Sequence, residues 1–149
     1  MTRAYLGLGS NVGDREAFLG AARSGLESGG VRLVRQSTVI ETQPFGEKDQ
    51  PLFLNQVLEI DWTGPARALL DLAKAVELHV GRTPTYRWGP REIDIDILLF
   101  GDEVIDEPDL QIPHPGLAER EFILQSLREL GATPHLTSPR PAGGGKRSD

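Results

Sequence analysis

Asp94 and Asp96 stand two residues apart in a stretch that alternates strictly from Ile93 to Phe100. Alternation at period two is a strand pattern, so both carboxylates leave the same face, about 7 Å apart at the backbone. Ile93, Ile95, Ile97 and Leu99 fall on the opposite face, while Leu98 and Phe100 continue the face of the aspartates. Two like charges this close repel unless a cation lies between them. Hard oxygen ligands in such a pair suit magnesium held jointly with substrate phosphates. The competing reading is a solvated strand face, on which acids like the nearby Glu103 and Asp106 are ordinary. The neighbours weigh against it: Arg82, Arg87 and Arg91 precede the aspartates with no acid before Glu92, which brings guanidinium forks to the same edge. Carboxylate, metal, phosphate and arginine neutralise one another, and the set reads as metal-assisted phosphoryl chemistry.

Other residues bear on the choice of ligand. Gly7, Gly9 and Gly13 follow an alternating stretch, but their spacing is one residue too long for a dinucleotide fingerprint, and the second strand offers no acid near Leu33 and Val34, its first being Glu41. Gly145-Lys146-Arg147-Ser148 lacks the Lys-Ser/Thr pair of a phosphate loop. Any phosphate must then be held by arginines and metal. His79, His114 and His135 show no ligand spacing; His114, held between Pro113 and Pro115, could donate to a phosphate oxygen or serve structure alone. Phe53 and Asn55 share one side of a strand beside a long loop and could stack on and hydrogen-bond a flat heterocycle; the plainer reading is a strand face packed by a helix. Phe122, next to Ile123 and Leu124, reads as helix core.

The elements that must position these groups follow from periodicity and turn chemistry. Ala4, Leu6 and Leu8 predict a strand over residues 4–9, and Asp14 an N-cap for a helix to Glu27 with Phe18, Ala21, Ala22 and Leu26 on its apolar face. Val31 to Glu41 predicts one strand, followed by a long loop from Thr42 to Pro51. Leu52 to Trp62 alternates with Leu54, Leu58 and Ile60 on one face and Phe53, Asn55, Val57, Glu59 and Asp61 on the other. Thr63 as N-cap and Pro65 in the first turn predict a helix with a stripe of Ala66, Leu69, Leu70, Ala73, Val76 and Val80, Glu77 at its edge and Gly81 at its close. Arg82 to Glu92 predicts a second long loop. A short Val104-Ile105 strand, a proline-rich loop from Asp106 to Gly116 and a helix from Leu117 to Leu130 complete the chain. The order matches a split βαβ arrangement: α+β, ferredoxin-like, an antiparallel sheet backed by helices. It predicts a single domain over residues 1–131 and a flexible tail over residues 132–149.

Composition bounds the rest. The chain has 149 residues, 16 Lys plus Arg against 22 Asp plus Glu, a net charge of −6 and no cysteine. A chain of this size buries roughly two thirds of its unfolded surface, enough for a core without staples. The absence of cysteine excludes disulfides, thiolate metal sites and a cysteine nucleophile, and suits the cytoplasm. No apolar run approaches the roughly 18 residues of a membrane span. The negative charge argues against nucleic acid as a partner.

Arg87-Trp88-Gly89-Pro90-Arg91-Glu92-Ile93-Asp94-Ile95-Asp96-Ile97-Leu98 closely resembles the signature of the 6-hydroxymethyl-7,8-dihydropterin pyrophosphokinase family. Tyr5-Leu6-Gly7-Leu8-Gly9-Ser10-Asn11, the stretch from Thr42 through Asn55, Glu77 with Gly81-Arg82, and Ile112-Pro113-His114 agree with it in order. The resemblance implies a magnesium-dependent transfer of pyrophosphate from ATP to the pterin hydroxymethyl group, releasing AMP, in folate biosynthesis. It implies Asp94 and Asp96 as ligands of two magnesium ions, with Arg82 and Arg91 joining them in catalysis. Phe53 and Phe122 would sandwich the pterin, Asn55 would read its polar edge, and Thr42, Pro44 and Phe45 would complete its pocket. Glu77, Arg82, Trp88, Arg91, Ile97, His114 and Arg120 would surround ATP. Departures are also visible: Asp109 and Gln111 stand where an arginine and a hydroxyl residue are expected, and Arg120 or Arg87 could compensate. The expected protein is a cytoplasmic monomer, and the competing class is a catalytically silent pterin or nucleotide binder.

Overall fold

A computed structural model of the chain describes residues 1–44, 49–82 and 90–132. Its elements are β1 (Thr2–Ser10), α1 (Arg15–Ser28), β2 (Arg32–Gln36), β3 (Ile40–Thr42), β4 (Phe53–Trp62), α2 (Ala66–Val80), β5 (Asp94–Phe100), β6 (Ile105–Glu107), β7 (Leu110–Ile112) and α3 (Glu121–Glu129). The main sheet runs β2-β4-β1-β5 with β3 beside β4, and every pairing is antiparallel. Two split βαβ units, β1-α1-β2 and β4-α2-β5, interleave to give this order, which is the ferredoxin-like α+β arrangement expected.

One sheet face is closed by α1 and α2. Leu6 and Leu8 of β1, Leu58 and Ile60 of β4, and Ile95 and Ile97 of β5 meet Leu19, Ala22 and Leu26 of α1 and Leu69, Ala73 and Val76 of α2. The Asp14 carboxylate caps α1, accepting from the Ala17 N–H at 3.1 Å. The buried stripe of α1 is Leu19, Ala22 and Leu26, displaced from the expected Phe18 and Ala21. Phe18 instead covers Gly13, whose φ is 74° and whose missing Cβ would stand 2.9 Å from the ring. At α2 the cap position belongs to Pro65 rather than Thr63: the Pro65 carbonyl accepts from Ala68 and Leu69, and no side chain caps the helix.

The opposite face is covered only in part. Ile123 and Leu127 of α3 pack with Val57, Leu98, Leu117, Leu130 and Ala132 in a second core, so the described fold continues through Ala132. Beyond α3, Glu59 and Asp61 lie nearly buried on the bare sheet face, paired with Arg3, Arg32 and Arg35. Burial pushes the Glu59 carboxyl up, but hydrogen bonds from Arg35, Tyr5 and Arg3 outweigh it and hold the group below its usual range. Arg35 also donates to the Leu130 carbonyl, and the Glu129 carboxylate accepts from the Thr38 N–H and hydroxyl, so the end of α3 is tied to β2 and the turn after it.

Four further expectations change. The strand predicted over Val31 to Glu41 is broken at Ser37, whose N–H donates to the Val57 carbonyl and whose hydroxyl accepts from the Val57 N–H, each at 2.9 Å. In β5 the register slips: Tyr5 faces Leu99 and Leu6 faces Ile97, leaving Leu98 as an extra residue. The bulge reverses the facing beyond it, so Phe100 enters the α1/α2 core and Leu99 the α3 side, opposite to strict alternation. The loop from Asp106 to Gly116 contains the β6-β7 hairpin. The last helix is interrupted at Arg120, extended at φ −116° and ψ 98°, between a 3-10 turn (Leu117–Glu119) and α3.

Candidate active site

A cavity of about 520 Å³ opens on the α3 side of the sheet. Phe53 and Asn55 of β4, Thr42 at the end of β3, and Phe122 with Arg120 at the start of α3 line it. The break at Arg120 brings these last two to the cavity instead of into the helix core. Asn55 donates to the Thr42 hydroxyl at 2.6 Å, which fixes its amide. The floor is β1, where a Cβ on Gly9 would stand 3.3 Å from the Asn55 Oδ1 and 3.4 Å from the Phe53 ring. Of the remaining residues expected here, Pro44 is buried and does not line the cavity, Gln43 does, and Phe45 lies outside the described residues.

A second cavity of about 360 Å³ lies between α2 and the β6-β7 hairpin. Glu77, Arg82 and Ile97 line it as the resemblance implied, while Trp88 and Arg87 lie outside the described residues. Glu77 is nearly buried; one carboxylate oxygen accepts from the Ile95 N–H at 2.7 Å and the other from Arg82 at 3.0 Å. Burial raises its pKa despite the Ile95 bond. Asp109 turns to Arg67, which grips both its oxygens at 2.9 and 3.0 Å and holds the carboxyl below its usual range.

Arg91, Asp94, Asp96 and His114 line both cavities and form their common wall. Arg82 and Arg91 each approach the Asp94 carboxylate at 3.9 Å, and the His114 Nε2 lies 3.8 Å from Asp96. Burial, then the Asp94 charge, push the Asp96 carboxyl up to about 8, and Arg120 only partly offsets them. Burial and Arg120 together lower the pKa of His114. The positive charge beside Asp96 among the described residues thus does not offset its burial and the neighbouring Asp94 charge. Among the described residues no three His, Cys, Asp or Glu side chains form a metal cage. Two carboxylates short of positive charge fit magnesium bound jointly with a ligand's phosphates better than an all-protein site.

A family model described as 7,8-dihydro-6-hydroxymethylpterin-pyrophosphokinase matches residues 5–132, a span that includes both cavities. The chain belongs to this family. It is 44% identical over 128 residues to the 2-amino-4-hydroxy-6-hydroxymethyldihydropteridine pyrophosphokinase of Bacillus subtilis, covering 85% of this chain and 77% of that one. The protein of the same name from Aquifex aeolicus is 45% identical over 130 residues, 87% of this chain and 81% of that one. The folic acid synthesis protein fol1 of Schizosaccharomyces pombe is 42% identical over 137 residues, which are 91% of this chain but 18% of that much longer protein. Membership makes this chain an enzyme, a transferase of the pyrophosphokinase type.

Within this family member, several site residues carry no signal that spacing alone could raise. Lys74 lines the second cavity from an exposed turn of α2, where it reads as an ordinary surface lysine. Gly7 and Gly9 line the first because their strand forms its floor, which is visible only once β4 and β5 flank β1. Among the described residues no helix is long and apolar enough to cross a membrane.

Proposed function

We propose that the chain transfers the pyrophosphoryl group of ATP to the hydroxymethyl oxygen of 6-hydroxymethyl-7,8-dihydropterin in folate biosynthesis, releasing AMP and the pterin diphosphate. The observation that carries this reading is the common wall: a group passing from one cavity to the other must cross Asp94, Asp96, Arg91 and His114. The pterin occupies the first cavity, stacked by Phe53 and Phe122, with Asn55 and Thr42 at its polar edge. ATP occupies the second, bounded by Glu77, Arg82 and Ile97, with Arg91 and His114 of the common wall toward the phosphates and Arg120 facing them from the first cavity.

Asp94 and Asp96 would hold two magnesium ions, which supply charge to the transferred group and acidify the attacking alcohol. The hydroxymethyl oxygen gives up its proton to water and bonds to the β-phosphorus as the bond from that phosphorus to the α,β-bridging oxygen breaks, and the electron pair leaves with AMP. Arg82 and Arg91 absorb charge on the non-bridging oxygens. Glu77 keeps Arg82 beside the aspartates and ties α2 to β5 between them. His114, whose surroundings favour the neutral ring and whose Nδ1 accepts from the Gly116 N–H, donates one hydrogen bond from Nε2 without adding a positive charge that would compete with the cations for the carboxylates.

The test is product analysis after mixing the protein with magnesium, ATP and the pterin, with Asp96→Ala as control. AMP and pterin diphosphate, absent in the control, are expected. ADP would mean transfer of a single phosphoryl group and refute the mechanism, and pterin binding without turnover would favour a silent binder.

A further inference from the structure

Thr42, Phe53 and Asn55 meet in the first cavity because β3 pairs with β4, Thr42 opposite Phe53 and Glu41 opposite Leu54. Residues opposite each other in an antiparallel pair share a side, and sides alternate along the strand. Glu41 therefore leaves the sheet with Leu54, whose side chain joins the α1/α2 core, while Thr42 leaves toward the cavity. Arg15, the first residue of α1, meets both strands from that rear side. Its Nη1 stands 3.0 Å from the Glu41 carboxylate and donates to the Leu52 carbonyl at 2.8 Å. Leu52 directly precedes Phe53. A cation in the first turn of a helix gains nothing from the helix dipole, so what Arg15 contributes comes through these two partners. Arg15 and Glu41 line neither cavity.

We propose that Arg15 and Glu41 are positioning residues for the first cavity, a brace behind the β3-β4 pair that fixes Thr42 against Phe53 and Asn55 in front of it and so sets the fit of the pterin; this rests on the substrate reading above. β3 has three residues and, among the described residues, pairs with β4 alone, too short a ladder to hold its own place firmly. One guanidinium nitrogen carries two hydrogens, one for the Glu41 carboxylate and one for the Leu52 carbonyl, so β3 cannot shift against the start of β4 without breaking one of the two contacts. What depends on that placement is the bond of 2.6 Å from the Asn55 amide to the Thr42 hydroxyl, which turns Asn55 to read the pterin's polar edge. A displacement of about 1 Å at such a contact is enough to spoil recognition. The Arg15 side chain is 30% exposed and that of Glu41 49%, so salt screens the pair. Nucleotide binding is left alone, because neither residue reaches the second cavity.

The experiment titrates the full chain with 6-hydroxymethyl-7,8-dihydropterin in a calorimeter, with α,β-methylene ATP and magnesium saturating, at about 0.05 M and about 0.5 M sodium chloride. The dissociation constant of the nucleotide alone is measured beside it. Arg15→Ala should weaken pterin binding about fivefold and leave the nucleotide within about twofold of its natural affinity. Arg15→Lys, which keeps the charge and a donor, should bind the pterin within about twofold of the natural protein, and Glu41→Gln, which keeps an acceptor without the charge, should fall between. The pterin carries no net charge, so the brace makes its binding salt-sensitive: the natural protein should lose about twofold in affinity at the higher salt, and Arg15→Ala should lose none. Pterin affinity unchanged in Arg15→Ala overturns the inference, as does a loss that Arg15→Lys fails to recover or that falls equally on the nucleotide; the proposed function survives each of these results. A natural protein that binds no pterin overturns both. Should Arg15→Ala fail to fold, Glu41→Gln decides: weaker pterin binding at an unchanged melting temperature supports the brace, and unchanged binding overturns it.

Discussion

Replacing Asp96 by asparagine should stabilise the metal-free protein at neutral pH while abolishing its activity. In the folded chain this carboxyl is pushed up from 3.8 to about 8, so between these values the folded state keeps a proton that the unfolded state has released. The stability of the natural protein therefore falls as pH rises through that interval. At pH 7, about three pH units above the unfolded value, the unscreened cost is roughly 4 kcal/mol at 1.36 kcal/mol per unit. The side chain is 36% exposed, so solvent screening reduces the figure. About 1–2 kcal/mol remains. Asparagine keeps the shape and lacks the charge, so the variant should melt about 3–8 °C higher at pH 7 in the presence of a chelator. Thermal unfolding followed by circular dichroism at pH 5 and pH 7 reads the effect. The advantage should shrink to less than half at pH 5, where the natural carboxyl gives up little by staying protonated. A variant no more stable at pH 7, or one whose advantage is the same at both pH values, would refute the electrostatic account of the common wall.

Gly9→Ala should raise the KM for the pterin about tenfold with little change for ATP, because its methyl group presses on Asn55 and Phe53 in the first cavity alone; equal effects on both substrates in steady-state kinetics would contradict the assignment of the cavities. Arg35→Ala should cost about 1–2 kcal/mol by denaturant titration, through loss of its bonds to Glu59 and Leu130. It should also weaken pterin binding, since α3 carries Phe122. Glu59 and Asp61 are held below their usual values, so they stabilise the fold above about pH 4–5 and the contribution is lost as pH falls further; a Glu59→Gln, Asp61→Asn pair should flatten the acid limb of the melting curve. Arg67→Ala should change stability by less than about 1 kcal/mol yet raise the KM for ATP about threefold, because Asp109 is then left unneutralised beside the second cavity. Asp109→Asn should restore it.

The sheet and both of its backing helices were legible because β1, β4 and β5 alternate cleanly and α2 carries an apolar stripe closed by Gly81. Asp94 and Asp96 were legible as a pair for the same reason: they lie before the bulge, where alternation still holds. The slip at Leu98 left no trace in the sequence, since Leu98, Leu99 and Phe100 are all apolar and suit either face. The break at Ser37 was hidden by neighbours that favour strands, because it depends on a hydroxyl finding the Val57 N–H across the sheet. The pairing of Asp109 with Arg67 joins residues 42 positions apart and rests on tertiary placement alone. Phe53, Asn55 and Phe122 were visible as aromatic and polar residues, but what they do was carried by resemblance, because a stacking ring and a core ring have the same local pattern.

The bulge in β5 has a consequence for how this strand can vary. On one side of Leu98 the chain must present carboxylates to the common wall; on the other it must send Phe100 into the opposite core. Deleting Leu98 would leave both ladders and both facings as they are, because Leu6 already faces Ile97 and Tyr5 faces Leu99; what it removes is one side chain of the second core. Adding a residue between the aspartates and Ile97, or deleting one there, would instead rotate one half of the strand against the other. The strand is therefore open to loss of its extra residue but closed to other changes in its length. Across descendants of this chain, a regular strand one residue shorter at Leu98 should occur, whereas insertions and deletions between Asp94 and Ile97 should be absent.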